Sequence, residues 1–311
     1  MTAKCLLITT VYNEEKSIVS FLESIYRQTR RPDEVVIVDA ESKDATQSII
    51  QRFIKDHPQF AVKLFIKKGN RSVGRNEAIR RSSHELIAAT DAGCILDPRW
   101  LEHIIQPFEK NYTIDVVGGW YQPIIKIPWH ASLSKVLNFK AEKIDSKNFL
   151  PSSRSIAFKK NAWKKAGMYP EHLLTAEDTL FDLNLKKTGA LFYFEPEAIA
   201  YWNLVNNYKS LYRMIRQYAY GDGEAKLFLS QYKIIFVYWS TTLFLVFLGF
   251  VFPVLFAIAF IFFISYLYVP IIQSRNVKNI MEIWQIPLIK LTVISANTVG
   301  YIKGIAHSKS L

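Results

Sequence analysis

Leu86-Ile87-Ala88-Ala89-Thr90-Asp91-Ala92-Gly93 sets four apolar residues directly before a lone carboxylate, a small residue and a glycine. A short apolar run bounded by turn residues reads as a buried strand of an α/β sheet, and open α/β sheets bind ligands just past the carboxyl ends of their strands. An aspartate at such an end can hold a divalent cation, a ribose hydroxyl or a phosphate-bound metal, and the glycine lets a ligand approach the backbone. The same residues also make an ordinary strand-to-turn step. The surrounding sequence has to choose between these readings.

Upstream, the pattern repeats. Cys5-Leu6-Leu7-Ile8-Thr9-Thr10 reads as a buried strand, followed by Asn13 as a helix N-cap with Glu14 and Glu15 in the first turn. Ile18, Phe21, Leu22 and Ile25 then fall on one helical face. Glu34-Val35-Val36-Ile37-Val38 makes a second strand ending at Asp39, and Ser42 to Thr46 turns into a helix with Ile49, Ile50, Phe53 and Ile54 inward. Val62 to Ile66 is a third strand, Gly69 to Gly74 a loop, and Arg75 to Ser82 a helix leading to the strand before Asp91. Alternating strands and helices predict a doubly wound, mostly parallel, Rossmann-like sheet. Asp39 and Asp91 would then emerge along one sheet edge, where they can converge on one ligand. No Gly-x-Gly-x-x-Gly fingerprint or Walker loop is present, which excludes the common dinucleotide and NTPase readings. A sugar-nucleotide pyrophosphorylase lacks support too, because no glycine-rich nucleotidyl loop follows the first strand.

The C-terminal part is different. Ile234 to Ile272 contains no charged residue, and Gly249 and Pro253 divide it into segments of about 234–252 and 254–272. Each is close to the roughly 20 apolar residues that span a bilayer, so a membrane hairpin is expected. Lys226 and Lys233 before the run, and Arg275 and Lys278 after it, favour both ends being cytoplasmic. The organisation expected is a cytoplasmic domain over 1–230 and an integral, multi-pass membrane domain over 231–311. A third apolar stretch, about 283–306, carries Lys290 and Lys303 and ends in a basic tail, which favours an interfacial or re-entrant helix over a span. Met1 to Lys4 leads straight into the first strand, so no signal peptide is expected. Cys5 and Cys94 read as reduced core residues. The net charge of +12 is spread in doublets such as Arg30-Arg31 and Lys164-Lys165, suited to solvated faces and membrane headgroups. No nucleic-acid-binding motif accompanies it.

The series Thr9-Thr10-Val11-Tyr12-Asn13-Glu14-Glu15, Val38-Asp39-Ala40-Glu41-Ser42-Lys43-Asp44-Ala45-Thr46, Arg75-Asn76-Glu77-Ala78, Thr90-Asp91-Ala92-Gly93 and Ala176-Glu177-Asp178-Thr179 resembles family 2 glycosyltransferases of the GT-A fold, over roughly residues 4–225. The resemblance implies an inverting enzyme that moves a sugar from a UDP- or GDP-linked donor to a lipid-linked or cell-surface glycan acceptor. By the same resemblance Val11, Asn13, Glu14 and Ser42 lie at the nucleotide, Asp39 reads the base, and Arg75 offers a planar fork to the diphosphate. Asp178 would be the base for the acceptor hydroxyl, with Glu177 supporting it. Leu150 to Ser155 resembles the family's acceptor-side loop, and by that resemblance Arg154 contacts donor or acceptor. Arg213 and Arg216 loosely resemble the arginine segment before the membrane in processive relatives, without their Gln-x-x-Arg-Trp form.

Each residue also has a plain structural reading: Asn13 a cap, Asp39 a turn former, Arg75 a surface helix residue, and Glu177 and Asp178 the acidic start of a helix. Asp182, one turn on, reads as solvent-facing or supporting. The chain departs from the family at the metal motif. Asp91 matches the first Asp of Asp-x-Asp, but Gly93 stands where the second would be. Mg²⁺ or Mn²⁺ is the expected cofactor, held by Asp91 and the diphosphate or partly replaced by Arg and Lys. Two alternatives accompany the main reading: transfer directly onto polyprenyl phosphate, and a non-catalytic membrane adaptor with a degenerate GT-A fold.

Overall fold

The computed structural model describes residues 3–137, 149–274 and 280–308. The chain falls into two compact units, Met1–Ile124 with Lys140–Asn203, and Ile125–Phe139 with Leu204–Leu311. The change in composition near residue 230 is therefore not where the compact units divide, because the helix over 208–224 packs with the C-terminal helices.

The first unit contains β1 (Cys5–Val11), α1 (Ile18–Tyr26), β2 (Glu34–Asp39), α2 (Thr46–Asp56), β3 (Val62–Ile66), α3 (Arg71–Arg80), β4 (Leu86–Ala89), β5 (Cys94–Leu96), α4 (Trp100–Lys110) and β6 (Val116–Ile124). After α5 (Pro128–Leu137), which belongs to the second unit, it resumes with β7 (Ile156–Lys159), α6 (Lys160–Lys165), α7 (Glu177–Lys187) and β8 (Phe192–Asn203). The sheet order is β3-β2-β1-β4-β7-β6-β8-β5. Strands β3, β2, β1 and β4 run parallel, as the alternating pattern predicts. Strand β7 runs against both β4 and β6, and β5 runs against β8.

Side chains alternate across a strand, and the central strands use both faces. Cys5 and Leu7 of β1, with Val35 and Ile37 of β2, join α1, α2 and α4 in one core. Leu6 and Ile8, with Val36 and Val38, join α3, α6 and α7 in the other. Each fully buried side chain of this size contributes about 1.5–3 kcal/mol, and the two cores together clamp the sheet edge that carries Asp39 and Asp91. Cys5 and Cys94 are free and buried, and burial pushes their thiols up to about 11 and about 12. That fits reduced core residues.

Two local readings change. Asn13 is not a helix cap: it has φ 55, and α1 begins only at Ile18 after a turn in which the Glu14 carbonyl accepts from the N–H groups of Ser17 and Ile18. The stretch from Gly69 to Gly74 is mostly helix. Asn70 caps α3 through Oδ1, which accepts from Val73 N at 3.1 Å. Gly74 then packs so closely on β1 that a Cβ there would sit 2.5 Å from Thr10 Cγ2.

The second unit holds α5, α8 (Tyr208–Glu224), α9 (Leu229–Gly249), α10 (Val254–Ser274) and α11 (Ile280–Ser308). Helices α9 and α10 are long and apolar enough to cross a bilayer, with mean hydropathy 1.5 and 2.5. Only 22% and 17% of those apolar windows are buried within the protein, unlike a soluble core helix. The break falls at 250–253, as Gly249 and Pro253 predict. Arg275 and Lys278 lie outside the described residues. Helix α11 follows α8 at backbone contact: a Cβ on Gly304 would lie 2.1 Å from the Tyr220 carbonyl oxygen and 2.7 Å from Glu224 N. Backbone atoms cannot yield as side chains do. Gly304→Val is therefore expected to destabilise the protein by about 1–3 kcal/mol or more, read as a lower Tm in detergent. Gly93→Ala, whose added Cβ meets nothing within 4 Å, is the control expected to leave Tm unchanged.

Candidate active site

The site lies in the first unit, at the carboxyl edge of β1, β2 and β4. Val11 pairs with Asp39 at the ends of β1 and β2, and Thr90 N bonds the Ile8 carbonyl, carrying Asp91 to the same edge. The loops after β1 and β2 are laced together. Asn13 N donates to Ser42 Oγ at 2.9 Å, Lys43 N to Asn13 Oδ1 at 2.8 Å, and Ser42 N to Asp39 Oδ1 at 2.7 Å. Glu14 N donates to Thr46 Oγ1 at 2.8 Å. Asn13 thus spends its amide oxygen on loop closure, and its left-handed backbone suits an Asn. Asp39 is fully buried. Gln47 Nε2 also donates to its Oδ1 at 2.8 Å, while Oδ2 has no hydrogen-bond partner among the described residues.

Arg75 ties three elements together. Its Nη2 meets Asp91 Oδ1 at 2.8 Å, its Nη1 meets Glu177 Oε1 at 2.9 Å, and its guanidinium carbon lies 5.3 Å from the Tyr169 ring centroid. At 2% exposure it is a core residue, not a surface one. In place of an open fork for phosphate, both Nη groups are engaged by carboxylates. Burial opposes its charge, but Asp91 and Glu177 hold the guanidinium above its ordinary value. Burial likewise opposes the charge on Asp91, yet Arg75, then Arg154 and Arg71, hold that carboxyl below its ordinary value.

Glu177 and Asp178 open α7 after Ala176, which takes a left-handed conformation at φ 62 and ψ 12. That geometry costs a non-glycine residue roughly 1–2 kcal/mol, and it aims the first turn of α7 at the sheet edge. Glu177 turns inward to Arg75. Asp178 stays half-buried, with Oδ2 3.5 Å from Ser153 N and Oδ1 accepting from Thr179 N at 2.9 Å. The loop over 150–155 is fastened to the sheet by Thr90 Oγ1, which donates to the Arg154 carbonyl at 2.9 Å. The Arg154 guanidinium lies over Trp202 at 4.5 Å and Tyr121 at 5.1 Å. Arg213 and Arg216 are exposed on α8 in the second unit.

Several supporting residues escape a sequence reading. Asn76 satisfies its whole amide by donating to Tyr169 O and Glu171 Oε1 and accepting from Trp163 Nε1 and Tyr169 N. Its place beside Arg75 was the available signal. Of the two readings of Asp182, solvent-facing or supporting, the first does not hold: it is fully buried, and neither carboxylate oxygen has a partner among the described residues. Burial, reinforced by Asp178 and only partly opposed by Lys186, raises its carboxyl well above the ordinary value.

The donor set does not fit a resident divalent cation. Asp91 already shares one oxygen with Arg75, and Gly93 offers no ligand. No group of three His, Cys, Asp or Glu side chains suited to a metal occurs among the described residues.

The glycosyl transferase family 2 pattern matches residues 6–164. The chain belongs to glycosyl transferase family 2. It is 23% identical over 197 residues to the glycosyltransferase AglE of Haloferax volcanii, covering 62% of this chain and 64% of that one. It is 26% identical over 189 residues to a poly(ribitol-phosphate) beta-glucosyltransferase of Bacillus spizizenii, covering 58% of this chain and 29% of that one. The matches thus span less than two thirds of these curated relatives. Among solved structures, the Pyrobaculum calidifontis mannosyltransferase PcManGT, in complex with GDP-Man and Mn²⁺, aligns with TM-score 0.62 at 17% identity, over 98% of this chain and 87% of that one. S. aureus TarS 1-349 with UDP-GlcNAc aligns with TM-score 0.52 at 21% identity, over 70% and 65%. These likenesses establish the GT-A fold.

Two outcomes follow from the buried charges. Arg75→Met leaves Glu177 as an uncompensated buried carboxylate and is expected to lower stability by about 3–5 kcal/mol, measured by denaturant unfolding. For Asp182, the folded pKa lies above the unfolded value of about 3.9. The stability tied to its proton is complete below that pH and is lost as pH rises toward the folded pKa. Asp182→Asn should flatten the fall of Tm with rising pH above about 4. The slope is the readout, and an unchanged slope would show that Asp182 ionises as freely folded as unfolded.

Proposed function

We propose that this family 2 protein is an inverting, membrane-anchored glycosyltransferase that uses a UDP- or GDP-sugar and a lipid-linked or cell-surface glycan acceptor. The observation that carries this reading is Asp178. It is half-buried and forms no ion pair among the described residues, directly beside the locked Arg75–Glu177–Asp91 bridge. An inverting displacement needs one carboxylate free to receive a proton. Fixed neighbours must hold it within hydrogen-bond reach of the attacking hydroxyl.

In this reading the donor lies along the edge of β1, β2 and β4. Val11 and the Asn13–Glu14–Ser42 lacing floor the nucleoside, and the uncommitted Oδ2 of Asp39 accepts from a ring N–H of uracil or guanine. The acceptor oxygen attacks the anomeric carbon as the bond to the diphosphate breaks. The electron pair leaves on the phosphate oxygen, and the acceptor proton passes to Asp178. Glu177 and Arg75 fix the turn that aims Asp178 and touch neither reacting atom. UDP-GlcNAc and GDP-Man in the structural neighbours support a nucleotide-sugar donor without choosing between the bases.

Helices α9 and α10 support an integral hairpin that holds the protein at a bilayer. The basic residues Lys226, Lys233, Arg275 and Lys278 favour a cytoplasmic catalytic unit. Helix α8 exposes Lys209, Arg213 and Arg216, so α11, pressed against it through Gly300 and Gly304, is read as interfacial.

A screen of UDP- and GDP-sugars on membranes containing the protein tests the reading. Asp178→Asn is expected to lower the transfer rate by roughly 10²–10⁴-fold while donor binding persists. Unchanged transfer in that variant would remove Asp178 as the base. Sugar-phosphoprenol as sole product would redirect the acceptor to polyprenyl phosphate. Failure of every donor to be transferred or hydrolysed would favour a non-catalytic adaptor.

A further inference from the structure

Gly93 is not imposed by the fold. A Cβ built there meets nothing within 4 Å, and its φ is not in the left-handed region. Packing around the Cβ position therefore does not account for the missing motif carboxylate. A cation is held instead on the loop that Thr90 fastens, within electrostatic reach of Asp91. Cys94, the residue after Gly93, pairs with Trp202 across β5 and β8. Trp202 and Tyr121 meet edge-to-face, with centroids 6.3 Å apart at 78°. The guanidinium of Arg154 stacks on both rings. Its Nη1 donates to Ser152 Oγ at 3.1 Å, and its own carbonyl is held by Thr90, the neighbour of Asp91. Two aromatic faces and the Ser152 hydrogen bond therefore hold this charge, and the Thr90 bond holds its backbone, before any ligand arrives. Arg71 stands one helical turn before Arg75 on the same face of α3 and adds a second cation toward Asp91.

An Asp-x-Asp motif places two negative charges where a dication then sits. Here one carboxylate is neutralised by Arg75, and the second is absent while a stacked arginine is tied to Thr90 at the same strand end. We propose that Arg154, held by Trp202 and Tyr121 and fastened to Thr90, neutralises the donor diphosphate in place of a protein-bound divalent cation. The inference rests on the nucleotide-sugar reading above. When the bond from the anomeric carbon to the diphosphate breaks, the electron pair stays on the phosphate oxygen. A preorganised guanidinium stabilises that charge without reorganising, and its planar fork suits two phosphate oxygens.

Binding of UDP and GDP to the full-length protein in detergent, with EDTA and then with Mn²⁺, tests the proposal. The wild type is expected to bind one of them in EDTA, with Mn²⁺ changing Kd by less than about threefold. Arg154→Gln should weaken binding in EDTA by about tenfold or more, the worth of one charge-assisted hydrogen bond, and Arg154→Lys should recover most of it. Gly93→Asp, whose Cβ meets nothing within 4 Å, should weaken binding in EDTA and make it respond to Mn²⁺. Wild-type binding that vanishes in EDTA and returns with Mn²⁺ would overturn the proposal, as would an Arg154→Gln protein that binds like wild type. Absence of binding by either nucleotide, with and without Mn²⁺, would overturn the nucleotide-sugar reading and this inference with it.

Discussion

The first unit depends on one buried cation. Arg75 reaches from α3 to the end of β4 and to the start of α7, and it meets a carboxylate at each. Helix α3 and strand β4 are neighbours in sequence, but Glu177 at the start of α7 lies 102 residues beyond Arg75. A buried guanidinium requires full pairing, because an unpartnered charge away from water is strongly unfavourable. The requirement fixes distance and direction together. Asp91 cannot drift from the sheet edge, and Glu177 cannot rotate out of the first turn of α7, without exposing the other partner's deficit. Asp178 gains its position from this constraint although it forms no part of it.

Much of this was legible in the sequence, and the reasons differ by residue. The parallel half of the sheet shows in the alternation of apolar runs with helical spacing, because each strand there is buried on both faces. The antiparallel strands β7 and β5 are short, and neither carries a periodic signal of its own. Asp39 and Asp91 are legible because strand ends place carboxylates on a common edge. The partners of Arg75 are not, since an arginine on a helix reads the same whether it meets phosphate or carboxylate. Asn13 misleads for a related reason. An Asn before two Glu residues matches a helix start, but its amide is drawn into a loop contact with Lys43 that local sequence cannot encode. Asp182 sits where a solvent-facing residue is expected, and only the packing of α7 under Tyr169 and Phe181 shows its burial.

Strain and rigidity concentrate around the same edge. Asn13 and Ala176 both hold left-handed backbone, one in the loop after β1 and one at the start of α7. Such conformations persist only where surrounding contacts over-determine them. The lacing through Ser42 and Lys43 does so for Asn13, and the Arg75–Glu177 pair does so for Ala176. The loops along this edge are thus tied in place by contacts within the protein itself.

The path of the chain limits how the protein can be taken apart. Between the two segments of the first unit it crosses into the second to form α5, where Ser132 bonds Gln285, Lys135 pairs with Glu282 and Trp129 bonds the Val205 carbonyl. A polypeptide ending at Asn203 would still carry α5 but none of those partners, and Trp129, His130 and Leu133 would face water. The sugar-transfer fold and the apolar hairpin are therefore not modules joined by a single hinge. They are interleaved along the gene, and recombination at one point cannot exchange either of them cleanly.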